Sequence, residues 1–346
     1  MKKTWLKPYE FWHPRIFELP FYFYLVGQCL INRLRISDLA KANSALDHGE
    51  IGIGSKFHTQ LQFDQQLFLP TSCLAEDLSV NDKRQAIEHF AAEHGYPVIL
   101  KPDIGMVGKG IIKIDAADEL DACIDKISGV FLLQKFTPYQ FEAGIFYVRQ
   151  NGKAKITGIN QKHFPTVVGN GIDSLLTLAK NHYRYTHHWS AFLRYFDTDR
   201  VPANGEEICL SFIGSHTLGC KFTDDSNWLT AEIEEAVFSI FNNQPDVNFG
   251  RLDVKCQDKA ALQRGEFVVI EVNGISSLPT HMFDPKYSVF DAYKIFFEHG
   301  KYLAQIASEN RHKAMDLMSL RQILNKVKTS QNLLDKTHSE LKSQQS

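Results

Sequence analysis

Three short stretches carry residue types suited to chemistry. The first is Lys101-Pro102-Asp103-Ile104-Gly105-Met106-Val107-Gly108-Lys109-Gly110-Ile111, in which a lysine closes an apolar run and glycines follow it. Glycines let backbone N–H groups approach phosphate oxygens closely, and a strand-end lysine adds a point charge for the same oxygens. An ordinary glycine-bearing hairpin fits these residues as well. The stretch is not a P-loop, because Gly110 stands after Lys109 where a Ser or Thr should meet magnesium. It is not a dinucleotide fingerprint either, since a strand rather than a helix is expected after it.

The second and third stretches are Gly250-Arg251-Leu252-Asp253-Val254 and Val268-Val269-Ile270-Glu271-Val272-Asn273. On a strand, the period of two puts Arg251 and Asp253 on one face, and likewise Glu271 and Asn273. If the two strands pair, two carboxylates and an amide oxygen converge beside a guanidinium. Hard oxygen ligands of that kind hold Mg²⁺ when nucleotide phosphates complete the shell. The alternative is a salt-bridge ladder on a solvated face, which the apolar neighbours disfavour. No Ser/His/Asp or Cys/His nucleophile arrangement stands out, and His281 and the run Thr186-His187-His188-Trp189 read as structural.

These residues need elements to hold them. Pro97–Pro102 reads as a buried strand, Ile111–Ile114 as a second, and Phe131–Lys135 and Ala143–Arg149 as two more. Gly152 marks a turn into Ala154–Gly158, and Arg251–Cys256 and Glu266–Asn273 alternate as paired strands do. Helices are expected over 56–69, from an Asn81-Asp82 cap to His94 with Gly95 at the end, over Asp118–Ile127, over Leu229–Phe241 and over Tyr287–Ala307. From Glu309 the chain is polar, with Leu317, Leu320, Leu324, Val327, Leu334 and Leu341 mostly at helical spacing, which suits one fraying amphipathic helix or a short pairing helix.

The chain has 346 residues, 38 Lys+Arg against 40 Asp+Glu, and a net charge of -2. That length predicts roughly two domains, and the charge balance disfavours a protein built to hold nucleic acid by counterion release. The six cysteines form no CxxC and no zinc-ligand spacing with histidine, which predicts reduced thiols and a cytoplasmic protein. Ile16–Ile31 is strongly apolar but only 16 residues long and contains Glu18 and Pro20. That is short of the ~20 residues a bilayer span requires. It suits a buried element, or a surface at residues 11–31 for peripheral contact with a membrane or a partner.

Taken together, the strand-lysine-glycine loop, R-x-D and E-x-N, in that order, resemble the ATP-grasp superfamily, and in particular D-alanine–D-alanine ligase and glutathione-synthetase-like carboxylate–amine ligases. The resemblance covers about residues 55–300. It implies an α+β fold with two α/β subdomains gripping ATP between antiparallel sheets. It implies that Lys56 and Lys101 neutralise the α- and β-phosphates, with Gly105, Gly108 and Gly110 in the phosphate loop. Gln134, Lys135 and Phe136 resemble the hinge that reads adenine, with Glu142 on the ribose. Asp253, Glu271 and Asn273 resemble the ligands of Mg²⁺, with Mn²⁺ the other metal to consider. Arg251 would stabilise the phosphoryl group in transfer, and Lys162 is a further phosphate contact. Phe164–Gly171 resembles a loop of peptide-forming members. The Pro-Gly turn usual after the Asn is replaced by Gly274-Ile275-Ser276-Ser277.

The activity so implied is an ATP- and Mg²⁺-dependent, ADP-forming ligase that joins a small carboxylate to an amine through an acyl-phosphate. An ATP-grasp phosphotransferase and a nucleotide-binding regulatory or scaffold protein are the other readings, and a homodimer is the oligomer to test. The expected organisation is an aromatic segment over 1–55, an ATP-grasp domain over 56–308 (nucleotide subdomain about 80–150, metal and substrate subdomain 151–308) and a helical tail over 309–346.

Overall fold

The computed structural model describes residues 8–52, 54–105, 108–124, 127–192, 196–329 and 332. The chain is mixed α+β, with eleven strands among the described residues: β1 Thr71–Leu74, β2 Val98–Pro102, β3 Ile112–Ile114, β4 Phe131–Lys135, β5 Phe141–Gln150, β6 Lys153–His163, β7 Thr166–Val168, β8 Glu207–Cys209, β9 Lys221–Asp224, β10 Phe249–Cys256 and β11 Val268–Asn273. It divides into two compact units. Among the described residues, one comprises 8–69, 143–161 and 222–329; the other comprises 70–142 and 162–221.

In the second unit, β1–β4 form an antiparallel sheet in the order β1-β4-β2-β3. The apolar alternation of β2 and β4 puts Val98, Leu100, Phe131 and Leu133 in a core with Ile87 and Phe90 of the helix Val80–His94. That helix begins two to three residues earlier than the sequence suggests. Ser79, not Asn81 or Asp82, is its cap: the Ser79 hydroxyl accepts from Asp82 N at 3.1 Å and donates to the Asp82 carboxylate at 2.6 Å. Gly95 ends it with a positive φ of 82°. The β7–β8 pair and the helix Leu175–Asn181 build a separate small core around Val167, Leu175, Tyr185 and Leu210.

In the first unit, five strands run in the order β11-β10-β5-β6-β9. β5 and β6 are joined by Asn151-Gly152, whose φ values of 49° and 72° suit a two-residue hairpin turn. Phe146, Val148 and Phe249 of this sheet pack on Leu303, Ala304 and Ile306 of the long helix Val289–Glu309. Ser288 caps that helix in a reciprocal box with Asp291, so it starts two residues after the expected Tyr287.

The expected helix over 56–69 is broken. Lys56–Gln60 makes one short helix capped by Ser55, and a 3-10 turn, Gln65–Leu67, follows Asp64. Asp64 accepts from Gln66 N at 3.0 Å, a local bond that competes with helix continuation. The 118–127 helix reduces to a 3-10 turn and Leu120–Cys123, with 125 and 126 outside the described residues. In the tail, 320–329 is helical; Met318 and Ile323 are buried, and Leu334 and Leu341 lie outside the described residues.

The N-terminal aromatic stretch holds a helix, α1 (Pro14–Ile31). One side packs on the long helix: Phe17 stacks with Tyr293, Phe21 with Phe296 and Tyr24 with Phe297, at centroid distances of 5.1, 3.8 and 4.5 Å. All six cysteines are free thiols.

Candidate functional site

The register of β10 on β11 sets the first group. Asp253 stands opposite Glu271, and Arg251 opposite Asn273, with a register shift between Asp253 and Val254. The expected pairing of the two motifs is therefore present, and all four side chains share one face. Arg251 grips Asp253 with two parallel bonds, Nε to Oδ1 at 2.7 Å and Nη2 to Oδ2 at 3.1 Å, and its Nη1 donates to Leu278 O at 3.1 Å. A guanidinium fork is shaped for this two-point grip. Asn273 Nδ2 reaches Asp253 Oδ2 at 3.4 Å. Lys56, at the start of its short helix, lies 3.6 Å from Glu271 Oε1. Asp253 is buried, so this is not a solvated ladder.

Sequence reasoning missed Glu50. Its carboxylate accepts from the Thr59 hydroxyl and from Gly274 N, and its carbonyl accepts from the Ser276 hydroxyl at 2.7 Å. Glu50 therefore ties the Lys56 helix to the turn after Asn273. Burial pushes its carboxyl above the usual carboxylate range, with nearby Glu271 in the same sense; the Thr59 and Gly274 bonds and Lys56 oppose the rise. Gly274 is required there, since a Cβ would sit 2.8 Å from Glu50 Cβ. The only local signal was the glycine-bearing stretch Gly49–Gly54. Asn160 was missed as well. It accepts from the Thr280 hydroxyl at 2.6 Å, and with Arg251 it crowds onto Gly144, where a Cβ would fall 2.4 Å from its Oδ1. Asn160 Nδ2 is buried and meets no hydrogen-bond partner among the described residues.

The second unit carries the remaining candidates. Lys101, at the end of β2, donates to Gln134 Oε1 at 3.0 Å; Gln134 lies on the adjacent β4 and donates to Thr71 Oγ1 at 3.1 Å. Lys135 N is bonded to Pro70 O at 2.9 Å, and the Lys113 ammonium lies 5.1 Å from the Phe136 ring centre. Glu142 and Lys162 form a buried ion pair, Nζ to Oε1 at 2.7 Å. Gly214 makes room for it: a Cβ there would lie 2.1 Å from Glu142 Oε1. In the glycine loop, Gly108 and Gly110 have φ of 76° and 74°. Gly108 also backs onto Ile213, 2.6 Å from where a Cβ would stand. Met106 and Val107 lie outside the described residues.

Among the described residues no three His, Cys, Asp or Glu side chains cluster as a self-sufficient metal site. Two opposed carboxylates and an amide are what Mg²⁺ takes when it keeps water and borrows phosphate oxygens. Arg251 and Lys56 lie against those carboxylates, and the donor set fits a metal whose shell phosphate oxygens complete. His281 and His299 are core residues, as expected for His281: burial pushes their pKa down to about 4 and about 3, and His299 is held between Thr157 Oγ1 and Ile295 O.

No family model matches the chain, and no curated protein matches it. Solved structures resemble it. A bifunctional glutathione synthetase from Pasteurella multocida matches 70% of this chain at 14% identity and a TM-score of 0.36. The D-alanine–D-alanine ligase from Bacillus anthracis matches 72% at 14% identity and a TM-score of 0.41. The D-alanyl-alanine synthetase A from Vibrio cholerae matches 75% at 17% identity and a TM-score of 0.40. The chain spans 36% of the length of the first and 68% of each of the other two.

Proposed function

We propose that the chain is an ATP- and Mg²⁺-dependent ligase joining a small-molecule carboxylate to an amine. The observation that carries this is the β10–β11 register, which sets Asp253 against Glu271 and Arg251 against Asn273, with Lys56 beside Glu271. Asp253, Glu271 and Asn273 would hold the metal, whose chemistry is to neutralise charge on the phosphate oxygens. Lys56 and Lys101 would bind the α- and β-phosphates as point charges, and the loop of Gly105, Gly108 and Gly110 would bring backbone N–H groups to them. Gln134, Lys135 and Phe136 would read adenine, and Glu142 the ribose hydroxyls.

In the first step a substrate carboxylate oxygen attacks the γ-phosphorus; the bond to the β-bridging oxygen breaks, giving an acyl-phosphate and ADP. In the second, the amine nitrogen attacks the acyl carbon, phosphate leaves with the C–O bonding pair, and the nitrogen gives up a proton to the departing phosphate. Arg251 and Lys162 supply positive charge where negative charge moves between oxygens. Catalysis of this kind is positioning and electrostatic stabilisation, with no side-chain nucleophile. Six free thiols suit a reducing compartment such as the cytoplasm.

The test is ADP and phosphate release from ATP·Mg²⁺ over a panel of amino acids, dipeptides and hydroxy acids, with mass spectrometry of the products. A new amide with stoichiometric ADP and phosphate is the expected result. A phosphorylated product with no condensation makes the chain a phosphotransferase. No ATP turnover with any substrate, despite nucleotide binding, makes it a regulatory protein.

A further inference from the structure

Only one side of α1 is used for packing. The other side exposes Ile16, Leu19, Pro20, Phe23, Val26, Leu30 and Ile31, with no charged side chain among them; Phe23 is 71% exposed and Leu30 74%. Gly27, on the same side, has nothing within 4 Å of where a Cβ would lie. This is a continuous strip, unlike the scattered apolar residues normal on a protein surface.

The neighbouring helix extends the strip and gives it a charged rim. α1 and Val289–Glu309 run in the same direction, because Phe17 pairs with Tyr293 and Tyr24 with Phe297. Two right-handed helices running the same way present opposite rotational flanks on a common side. On that side α1 carries Ile16, Pro20, Phe23 and Ile31, and its neighbour carries Phe290, Lys294 and Lys301. Phe290 is 77% exposed, and both lysines are exposed. Asp291 lies 3.6 Å from Lys294, and Glu298 accepts from Tyr302 at 3.0 Å. Arg15 and Arg33, exposed at the two ends of α1, and Lys301 meet no acidic partner among the described residues. Lys2, Lys3 and Lys7 precede the helix in the sequence.

We infer that this face of α1, with Phe290, docks on an anionic lipid surface, with the helix lying in the interface rather than crossing it. No helix among the described residues is long and apolar enough to cross a membrane. An apolar strip with Arg and Lys along its border is what an interfacial helix needs: hydrocarbon contact from the strip and attraction to lipid phosphate from the rim, where the acidic side chains are engaged, Glu18 by the Tyr22 hydroxyl at 2.8 Å, Asp291 by Lys294 and Glu298 by Tyr302. A second copy of the chain fits less well. Eighteen residues of helix make a strip about 27 Å long and about 10 Å across, or about 300 Å². A stable interface needs about 800 Å² on each partner. Pairing two such faces would also bring like-charged rims together.

The experiment is flotation of the full chain with vesicles of phosphatidylcholine plus phosphatidylglycerol, and with vesicles of phosphatidylcholine alone. Sedimentation of the free protein runs in parallel. Binding is expected on the anionic vesicles, weaker on the neutral ones, and reduced by salt. Phe23→Glu and Leu30→Glu should each lower partitioning at least tenfold, and Lys301→Glu should lower it on anionic vesicles alone. Phe290→Glu, on a different helix, guards against a folding defect in α1; unchanged circular dichroism qualifies each variant. Failure of the parent to float overturns the inference, as does flotation of the Phe23, Leu30 and Phe290 variants at the parent's level. A dimer that the Phe23 and Leu30 variants dissociate, with no vesicle binding, reassigns the face to a second copy.

Discussion

Lys162→Met should be a severe lesion, and its two components are separable. Lys162 Nζ lies 2.7 Å from Glu142 Oε1, with the two side chains 5% and 6% exposed. Removing the cation takes the ammonium away from a carboxylate that is almost wholly buried beside Gly214. Breaking a buried pair in this way costs about 3–5 kcal/mol, whereas replacing both partners with apolar groups costs little or nothing. Urea unfolding of the parent, Lys162→Met, Glu142→Leu and the double variant closes a double-mutant cycle. The single variant should lose about 3–5 kcal/mol, and the double should regain most of it. ADP formation should not return in the double variant, because no cation is restored for the phosphate. A single variant within about 1 kcal/mol of the parent would place the pair in the class of solvated surface bridges and refute the burial reasoning. A double variant no more stable than the summed singles would show that the two side chains are uncoupled.

Glu271→Gln and Asp253→Asn, each nearly isosteric, should cut ADP formation by at least about 100-fold while leaving circular dichroism unchanged; parent-level turnover in both would sink the ligase proposal. Gly108→Val should destabilise by about 2–4 kcal/mol in urea, combining a left-handed φ of 76° with a Cβ placed 2.6 Å from Ile213 Cγ2; a change below about 0.5 kcal/mol would show that the loop relaxes freely. His281 and His299 are buried neutral, with pKa lowered to about 4 and about 3. The unfolded chain therefore binds more protons between the ordinary histidine value near 6.5 and these lowered ones. Stability should fall with acidification through that window, by up to about 1.4 kcal/mol per pH unit for each histidine, and His299→Gln should flatten the slope. An unchanged slope in that variant would assign the acid sensitivity to other groups.

The site was legible in the sequence where its geometry is local or follows a strand period. Arg251 and Asp253 share a face because they are two residues apart, and the alternation of 268–273 faces Glu271 and Asn273 the same way. Lys101 was visible because it closes a continuous apolar run. Contacts between distant segments were not legible. Nothing near Glu50 in the chain says that its carboxylate will meet Gly274 N, 224 residues away. The partnership of Glu142 and Lys162, 20 residues apart across a hairpin, depends on strand register that sequence alone leaves open. For α1, the apolar content announced a helix with something to bury. Which arc it buries depends on the long helix, whose aromatics select Phe17, Phe21 and Tyr24 and leave Phe23 outside. Helix starts slipped for a simpler reason: Ser79, Thr230 and Ser288 all cap one or more residues away from the apolar periodicity.

The segmented threading of the two units bears on synthesis. The β1–β4 sheet and its covering helix are encoded in one uninterrupted stretch, so they can close as soon as Lys135 has left the ribosome. The five-stranded sheet has no such freedom. β6 ends at His163, yet β10 begins only at Phe249 and β11 at Val268, and β10 is the strand that covers the flank of β5. Throughout that interval the nascent chain carries an open β edge of ten residues, Phe141–Gln150, most of them apolar and destined for burial. A chain stalled or cleaved before Phe249 is therefore a natural client for chaperones, and a fragment ending there should aggregate rather than fold.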